Sequence, residues 1–460
     1  MKKIEDSQKF RVFIIICVGQ IVSILGSGLT SFAIGIWVFQ KTGSVTNFAL
    51  TILAIALPSI VISPFAGTFI DRWDRRRTMM LADVAAGMCS LAIGLLLYFE
   101  RLQIWHVCLI IAVAAVASVI QELAFTASAQ LLVPKEQLGR ASGMMEIGPA
   151  IAQIASPLLA GMLLAATSIY WVLVIDFATF LFAVSATAIV RIPKPTSAAE
   201  GESASGSLLK EAMAGWAFIK TQPGLTRLLY FFTIFNFIVS SLNVVLTPMW
   251  FGIASVEVVG RMVSISSFGM LAGSIVLSVW GGPSRRIRGM LGFAAIFGLS
   301  LILMGLRPSI PLISFACFGL LFTVPIILGC NQAIWLSQTP PNMQGRVGSI
   351  RMMMEWSATP LAYLIAGPLA DKIFEPLLAE DGPLAGSLGK FMGVGPGRGI
   401  GLLVITLGAL VLLLTMAGCM NSQLRDVETE PQGALVEEAS IEESDEAVVE
   451  SKSAVSFYGG

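Results

Sequence analysis

The sequence predicts an all-α polytopic membrane protein with twelve transmembrane helices in two pseudo-symmetric halves of six. Three observations predict this class: the composition, the long apolar runs and a repeat between the two halves of the chain. Of the 460 residues, 55% are hydrophobic and only 13% are charged, about half the charged fraction of a typical water-soluble domain. Each crossing of a bilayer needs about 20 apolar residues, and runs of that length recur from Phe10 to Met420.

The apolar runs define the predicted spans. They fall at 12–39, 47–70, 78–99, 104–132, 142–165, 168–190, 227–251, 258–281, 289–306, 310–336, 348–372 and 399–420. The first run is too long for a signal-peptide core and lacks a small-residue cleavage site, so we expect it to remain as a span.

A polar break divides the spans six and six. We expect a first six-helix half at 1–191, a cytoplasmic linker with a surface helix at 192–226, and a second half at 227–424. The remaining segment, 425–460, is predicted to be an acidic, disordered cytoplasmic tail, because Asp426–Gly460 holds ten acids and one lysine.

The basic residues predict the orientation of the spans. If both termini are cytoplasmic, the inner segments hold 22 of the 29 Lys and Arg residues. Cytoplasmic loops carry this excess. We therefore expect a multi-pass protein of the bacterial cytoplasmic (inner) membrane with both termini inside.

The two halves also echo each other in sequence. Pro134, Gly139, Arg140 and Gly161 recur as Pro340, Gly345, Arg346 and Gly367, each shifted by 206 positions. Two six-span halves related by a repeat are typical of secondary transporters, whose substrate path lies between the halves.

A dense charge cluster follows the second span, in the stretch "GTFIDRWDRRRT" at 67–78. It resembles the loop pattern G-x-x-x-D-R-x-G-R-[RK] of the major facilitator superfamily. The matching positions are Gly67, Asp71, Arg72, Arg75 and Arg76, whereas Asp74 stands where the pattern has glycine. The stretches "FQKTGSVTNFAL", "GWAFIKTQPGLTRLL" and "AGPLADKIFEPLL" resemble the branch with macrolide efflux proteins and the enterobactin exporter.

The resemblance implies the major facilitator fold and a cytoplasmic gate made by the charged loop. Asp71 would pair with an arginine and with the N-terminal end of a helix from the other half. Asp83, one turn into the third span, is expected to join this network. The alternative interpretation is that the loop is simply topogenic charge.

A second motif lies in the fifth span, "GPAIAQIASPLLAG". Gly148, Pro149, Pro157 and Gly161 resemble the Gly-Pro-rich motif of antiporter-type members, which favours export over uptake. Glycine and proline would let this helix bend and pack closely against a neighbour.

Acids at membrane depth are costly when ionised and unpaired, so each one is a functional candidate. Glu122 lies twelve residues before Pro134, near the midplane at about 1.5 Å per residue. Glu355 lies one turn after Arg351 and is expected to pair with it. The alternative role for Glu122 is a helix-packing hydrogen bond in its protonated form. Glu146 and Asp176 complete the proton-coupling candidates.

Polar residues within the spans are few and are flanked by methionine and aromatic side chains, which suits a large amphipathic solute. The substrate-cavity candidates are Gln20, Gln153, Asn236, Asn243, Asn331 and Gln332.

The main functional prediction is a proton-coupled exporter of an amphipathic small molecule, such as a macrolide-like drug, siderophore or secondary metabolite. The alternatives are a lysophospholipid or lipid flippase of the same fold, and a non-transporting receptor or scaffold. The sequence has no catalytic triad or phosphate-binding loop that would indicate an enzyme. We expect a monomer that contacts substrate, protons and membrane lipid, with no cofactor, metal or nucleic acid.

Overall fold

A computed structural model describes residues 2–72, 74–133, 138–190, 208–340 and 343–428. Side chains are described in these ranges except at 2–8, 63–72, 130, 138–140, 142, 143, 146, 208–214, 344–346 and 349. The first half contains α1 (Lys2–Thr42), α2 (Val45–Arg72), α3 (Arg75–Tyr98), α4 (Ile104–Leu132), α5 (Leu138–Ala166) and α6 (Ile169–Ile189).

The linker helix α7 (Leu208–Thr221) leads into the second half. That half contains α8 (Pro223–Phe251), α9 (Val256–Trp280), α10 (Arg286–Leu306), α11 (Ile310–Gln338), α12 (Gln344–Ser357), α13 (Thr359–Leu369), a π-helical turn (Ala370–Phe374), α14 (Glu375–Leu377), α15 (Gly389–Met392), α16 (Arg398–Met420) and α17 (Ser422–Arg425). Every described regular element is helical, as the sequence predicts.

Eleven helices of the described ranges are long and apolar enough to cross a membrane. The predicted span at 348–372 differs, because it is divided at Ala358 into α12 and α13 and then continues as the π-helical turn. Pro360 stands in the first turn of α13, where it has no N–H to extend the preceding helix. Arg351 and Glu355 also make α12 polar.

The two halves repeat the same packing. In the first half, α4 packs against α2 and α3, α1 packs against α5 and α6, and α3 packs against α6. In the second half, α11 packs against α9 and α10, α8 packs against α13 and α16, and α10 packs against α16. Each pair in one half therefore has its counterpart in the other, which confirms the two pseudo-symmetric halves.

The halves meet through two equivalent helix pairs, α5 with α9 and α2 with α13. We use "terminal end" for the end of the bundle where α1 begins and α2 finishes, and "opposite end" for the other. Val45 and Ala49, at the start of α2, belong to the hydrophobic core of the second half, so the halves share a core at the opposite end.

The chain stays packed slightly beyond the predicted end of the second half. Val427 is buried, and Glu428 accepts hydrogen bonds from the N–H groups of Arg286 and Ile287 at 3.0 and 3.2 Å. The predicted tail boundary at 425 thus falls four residues before the packed chain ends, and the rest of the tail, 429–460, lies outside the described residues.

Candidate functional site

The α5–α9 contact is built from glycine and backbone atoms. A Cβ added to Gly260 would lie 2.4 Å from the carbonyl oxygen of Pro157, and one added to Gly161 would lie 3.4 Å from the Cα of Gly260. Ser264 then donates a hydrogen bond of 2.7 Å to the carbonyl of Ile154. Pro157 and Gly161 of the Gly-Pro motif therefore lie where the two halves touch.

The other two members of that motif lie nearer the terminal end of α5. Gly148 packs within the first half, where an added Cβ would lie 3.2 Å from the Cδ1 atom of Ile24 in α1. Pro149 is exposed within α5. The motif thus contributes both to packing within the half and to contact between the halves.

At the α2–α13 contact, a carboxylate of the second half caps a helix of the first. Asp371 accepts hydrogen bonds from the N–H groups of Val45 and Thr46, each at 2.9 Å. It also accepts from the hydroxyls of Ser44 and Thr46, each at 2.7 Å. An anion at the start of a helix satisfies free N–H groups and interacts favourably with the helix dipole. Asp371 therefore joins the halves at the opposite end.

Asp371 was not a sequence-predicted site residue, although the sequence contains a signal for it. The segment Gly367-x-x-x-Asp371-Lys372 repeats the pattern of Gly67-x-x-x-Asp71-Arg72 with an offset of 300. A Cβ at Gly367 would lie 2.7 Å from the Cα of Thr46, so glycine lets α13 approach α2 closely enough for the cap to form.

The charged loop lies at the terminal end, between α2 and α3. Gly67 lies in the last turns of α2. The side chains of Asp71 and Arg72 lie outside the described residues, so the predicted pairing of Asp71 stays a prediction. Arg75 donates to the carbonyl of Ala127 at 2.6 Å, and Arg76 donates to the carbonyls of Thr187, at 3.1 Å, and Ala188. Both arginines therefore hold the loop against their own half.

Asp74 and Asp83 have separate roles near this loop. Asp74, at the glycine position of the family pattern, is the N-cap of α3 and accepts from the N–H of Arg77 at 3.2 Å. Its φ of −66° is ordinary for a residue with a side chain.

Asp83 accepts a hydrogen bond of 3.1 Å from Gln20. Gln20 is only 3% exposed, so its amide supports α1–α3 packing and does not line an open cavity as predicted.

The candidate acids occupy different environments. Glu122 is exposed on α4, and the side chain of Glu146 lies outside the described residues. Asp176 is 1% exposed and accepts a hydrogen bond of 2.6 Å from Ser90. Glu355 is 5% exposed and pairs with Arg351 at 3.0 Å, which confirms the predicted ion pair.

Glu355 is part of a polar network in the second half. Asn331 donates to it at 3.3 Å, while Arg351 also donates to the side-chain oxygen of Gln332 at 2.8 Å and lies over the ring of Trp335. Asn331 is only 1% exposed, so it differs from the predicted cavity-lining role and instead supports Glu355. The network couples α11 to α12.

The remaining cavity candidates are more accessible. Gln153 and Asn243 are exposed, and Asn236 is half-buried. Asn243 lies beside the hydroxyl of Tyr363 in α13. Within the described part of the chain, no group of three or more His, Cys, Asp and Glu side chains is placed to hold a metal ion.

These features define a class of protein: a helical membrane protein of two repeated halves that meet along two helix pairs, the architecture of secondary transporters. The chain belongs to the Major Facilitator Superfamily, whose family model matches residues 16–374.

Relatives and solved structures agree with this assignment. Macrolide efflux protein A of Streptococcus pyogenes is 29% identical over 369 residues, covering 78% of this chain and 90% of the relative. The multidrug efflux pump Tap of Mycobacterium tuberculosis (strain ATCC 25618 / H37Rv) is 24% identical over 364 residues, covering 75% and 84%.

Solved structures share the fold at lower identity. A bacterial homolog of the human lysosomal transporter Spinster, in an inward-facing and unoccupied conformation, aligns with a TM-score of 0.67 at 12% identity, covering 92% of this chain and 97% of that one. The nucleoside transporter NupG aligns with a TM-score of 0.65 at 12% identity, covering 89% and 100%.

Proposed function

We propose that this chain is a secondary active exporter of amphipathic small molecules, with macrolide-like compounds as the first class to test, and that it exchanges them for protons. The observation that carries the proposal is a buried acid in each of the two halves, Asp176 and Glu355. Relatives named for macrolide and multidrug efflux support the direction and the substrate class. Siderophores and other secondary metabolites remain in the test panel.

The orientation follows from the basic loops, which put both termini in the cytoplasm of a bacterial cell. The opposite end then faces outward, and the Asp371 cap and the α5–α9 contact close that side. An exporter in this conformation accepts substrate from the cytoplasm or the inner leaflet. Release requires these contacts to part while the charged loop of α2 and α3 engages the second half.

The Glu355 network offers a route for coupling the proton to this motion. When Glu355 is ionised, it holds Arg351 in α12 and Asn331 in α11. Protonation removes the charge that attracts Arg351, which lies on the same helix, and so frees Arg351 to change its contacts with Gln332 and Trp335 of α11. Glu122 is exposed on α4 and is the third acid to be tested for proton exchange.

The test uses purified protein in sealed proteoliposomes that contain a pH-sensitive dye. A pH gradient is imposed, and macrolides, siderophores and lysolipids are added separately to wild type, Glu122→Gln, Asp176→Asn and Glu355→Gln. Asp381→Asn, an exposed acid outside the spans, is the matched control for loss of one carboxylate.

We expect one compound class to trigger proton movement in wild type and in the control, and at least one of the three acid variants to abolish it. Lipid movement that persists without a proton gradient contradicts the proposal and favours a flippase. Solute flux with unaltered pH dependence in all three variants contradicts proton coupling through these acids.

A further inference from the structure

A partly open cavity of about 190 Å³ lies within the first half, lined by residues of α1, α2, α3, α4 and α6. Asp176 and Ser90 lie in its wall, together with Thr30, Thr51 and Ser118. The remaining walls are mainly isoleucine, alanine and phenylalanine side chains. The cavity thus combines one carboxylate, several hydroxyls and an apolar lining.

The carboxylate of Asp176 is only half satisfied. Its Oδ2 atom accepts the hydrogen bond from Ser90 at 2.6 Å, whereas its Oδ1 atom is buried without a hydrogen-bond partner among the described residues. The hydroxyl of Thr30 faces the same carboxylate and stabilises its charge, although it forms no hydrogen bond within the described part of the chain. Buried polar atoms are normally satisfied, so unsatisfied ones call for a ligand or a proton.

The Oδ1 atom lies at a close crossing of α1 and α6, beside the side chain of Thr179. α1 passes α6 at Gly26, where an added Cβ would lie 2.1 Å from the hydroxyl of Thr179 and 3.0 Å from Oδ1 of Asp176. A side chain at this position would displace Thr179, so glycine allows the close crossing. The polar atoms that could satisfy Oδ1 are hydroxyls, and they bring no positive charge.

The charge of the cavity selects a cation. No lysine or arginine is among its lining residues, so an ionised Asp176 has no countercharge there, and an unpaired charge in this environment is strongly disfavoured. A bare metal ion would need several oxygen ligands converging within about 2.6 Å. A cavity of this size with apolar walls fits instead a protonated amine that carries alkyl groups, which bury their surface while the N–H donates to the carboxylate.

Access to the cavity comes from the α4 side. Ser118 lines the cavity and is exposed, and Glu122 follows it by one helical turn, which places both residues on one face of α4. Ser118 therefore marks an exposed edge of the cavity, and Glu122 adds a negative charge on the same face of α4.

We infer that this cavity is a binding subsite for the protonated, alkyl-substituted amine of a transported amphipathic compound, with Asp176 as its countercharge. The inference rests on the proposed function for the identity of the ligand as a transported compound. Binding itself can be measured without transport, so the two proposals fail separately.

The experiment measures binding to the full-length protein in detergent by calorimetry. Three probes are used: erythromycin, whose tertiary amine is protonated at neutral pH; its neutral aglycone without the amino sugar; and the simple amine N,N-dimethylcyclohexylamine. The variants are Asp176→Asn, Ser118→Phe at the exposed rim, and Asp381→Asn as the charge control. Thermal melting and size-exclusion elution establish that each variant is folded.

Asp176→Asn is expected to weaken binding of both amines by about tenfold or more, as is typical for loss of a buried countercharge, while binding of the neutral aglycone stays unchanged. Ser118→Phe is expected to weaken binding of both amines, because the phenyl ring would occupy the cavity. This second variant tests the subsite even if Asp176→Asn does not fold. Asp381→Asn should bind all probes like wild type.

Three results would overturn the inference: unchanged amine binding in folded Asp176→Asn and Ser118→Phe, an equal loss for amine and neutral aglycone, or no amine binding by folded wild type. Amine binding that depends on Asp176, in protein that moves none of the probes in proteoliposomes, supports the subsite and contradicts the proposed export.

Discussion

Thr46 donates two hydrogen bonds to Asp371 across 325 residues of sequence, one from its backbone N–H at 2.9 Å and one from its hydroxyl at 2.7 Å. The donor begins α2 in the first half, and the acceptor follows α13 in the second. This pair therefore reports directly on whether the halves are together at the opposite end of the bundle.

Asp371→Asn is predicted to shift the conformational equilibrium away from this closed arrangement. Hydrogen bonds to a charged group contribute about 1.5–3 kcal/mol each. Asparagine at position 371 is neutral and can accept only some of the hydrogen bonds that Asp371 accepts from the start of α2. A net loss of about 1–3 kcal/mol corresponds to a shift of roughly 5- to 150-fold. The measurement is electron-electron resonance between spin labels at Gln40 and Glu257, which lie on opposite halves around one cavity at this end.

The labels are placed in a background without the six native cysteines. Asp371→Asn should populate longer distances, whereas the exposed control Asp381→Asn should keep the wild-type distribution. Identical distributions in both variants would mean that Asp371 does not hold the halves together.

Gly260→Ala is predicted to force the halves apart along the second helix pair. Its Cβ would lie 2.4 Å from the carbonyl oxygen of Pro157, and because backbone atoms cannot rotate away, α5 and α9 must separate. Gly292→Ala in α10 is the matched control, since an added Cβ there has nothing within 4 Å. Alanine at such a helical position stabilises by about 1 kcal/mol.

The same spin-label pair measures this effect, together with the rate of solute efflux from proteoliposomes. We expect Gly260→Ala to lengthen the label distance and slow transport, and Gly292→Ala to leave both unchanged. Wild-type distance and rate in Gly260→Ala would show that the close approach of α5 and α9 is not needed.

The sequence predicted the helices well because a membrane span needs a fixed length of apolar residues. The predicted fourth span, 104–132, coincides with α4, and the other predicted boundaries mostly fall within about three residues of the observed ones. The Arg351–Glu355 pair was also predictable, since residues four apart on a helix face each other.

The long-range pairings were not predictable in this way. Asp371 with Thr46, Asp176 with Ser90 and Asp83 with Gln20 join different helices, and periodicity within one helix carries no information about which faces of two helices meet. For the same reason Gln20 and Asn331 were assigned to an open cavity, although both amides are buried against carboxylates.

Removing Arg351 alone is predicted to destabilise the protein more than removing the whole ion pair. Arg351→Gln leaves the buried carboxylate of Glu355 without its countercharge, which costs about 3–5 kcal/mol for a buried pair. The double variant Arg351→Gln with Glu355→Gln leaves no such charge and should recover much of that loss. Thermal unfolding in detergent, analysed as a double-mutant cycle, measures the coupling between the two side chains.

Two features of this cycle would contradict the assignment of a structural ion pair. One is a loss of stability in the double variant that equals the sum of the losses in the two single variants, which would mean that the two side chains do not interact. The other is a stable Arg351→Gln variant, which would mean that Glu355 is protonated or solvated without its partner.

The last described residue, Glu428, is predicted to fasten the end of the second half to α10. Its two carboxylate oxygens accept from the first two N–H groups of that helix, the arrangement in which an anion stabilises a helix start by about 1 kcal/mol. Glu428→Gln should therefore lower the melting temperature modestly in detergent, and a chain ending after Glu428 should melt like the full-length protein. A chain ending after Val427 is the companion variant, because it removes the same cap without introducing an amide. Equal melting of all four proteins would show that the cap contributes nothing. An equal loss in both shortened chains, with wild-type melting of Glu428→Gln, would place the stabilising contact in 429–460 instead.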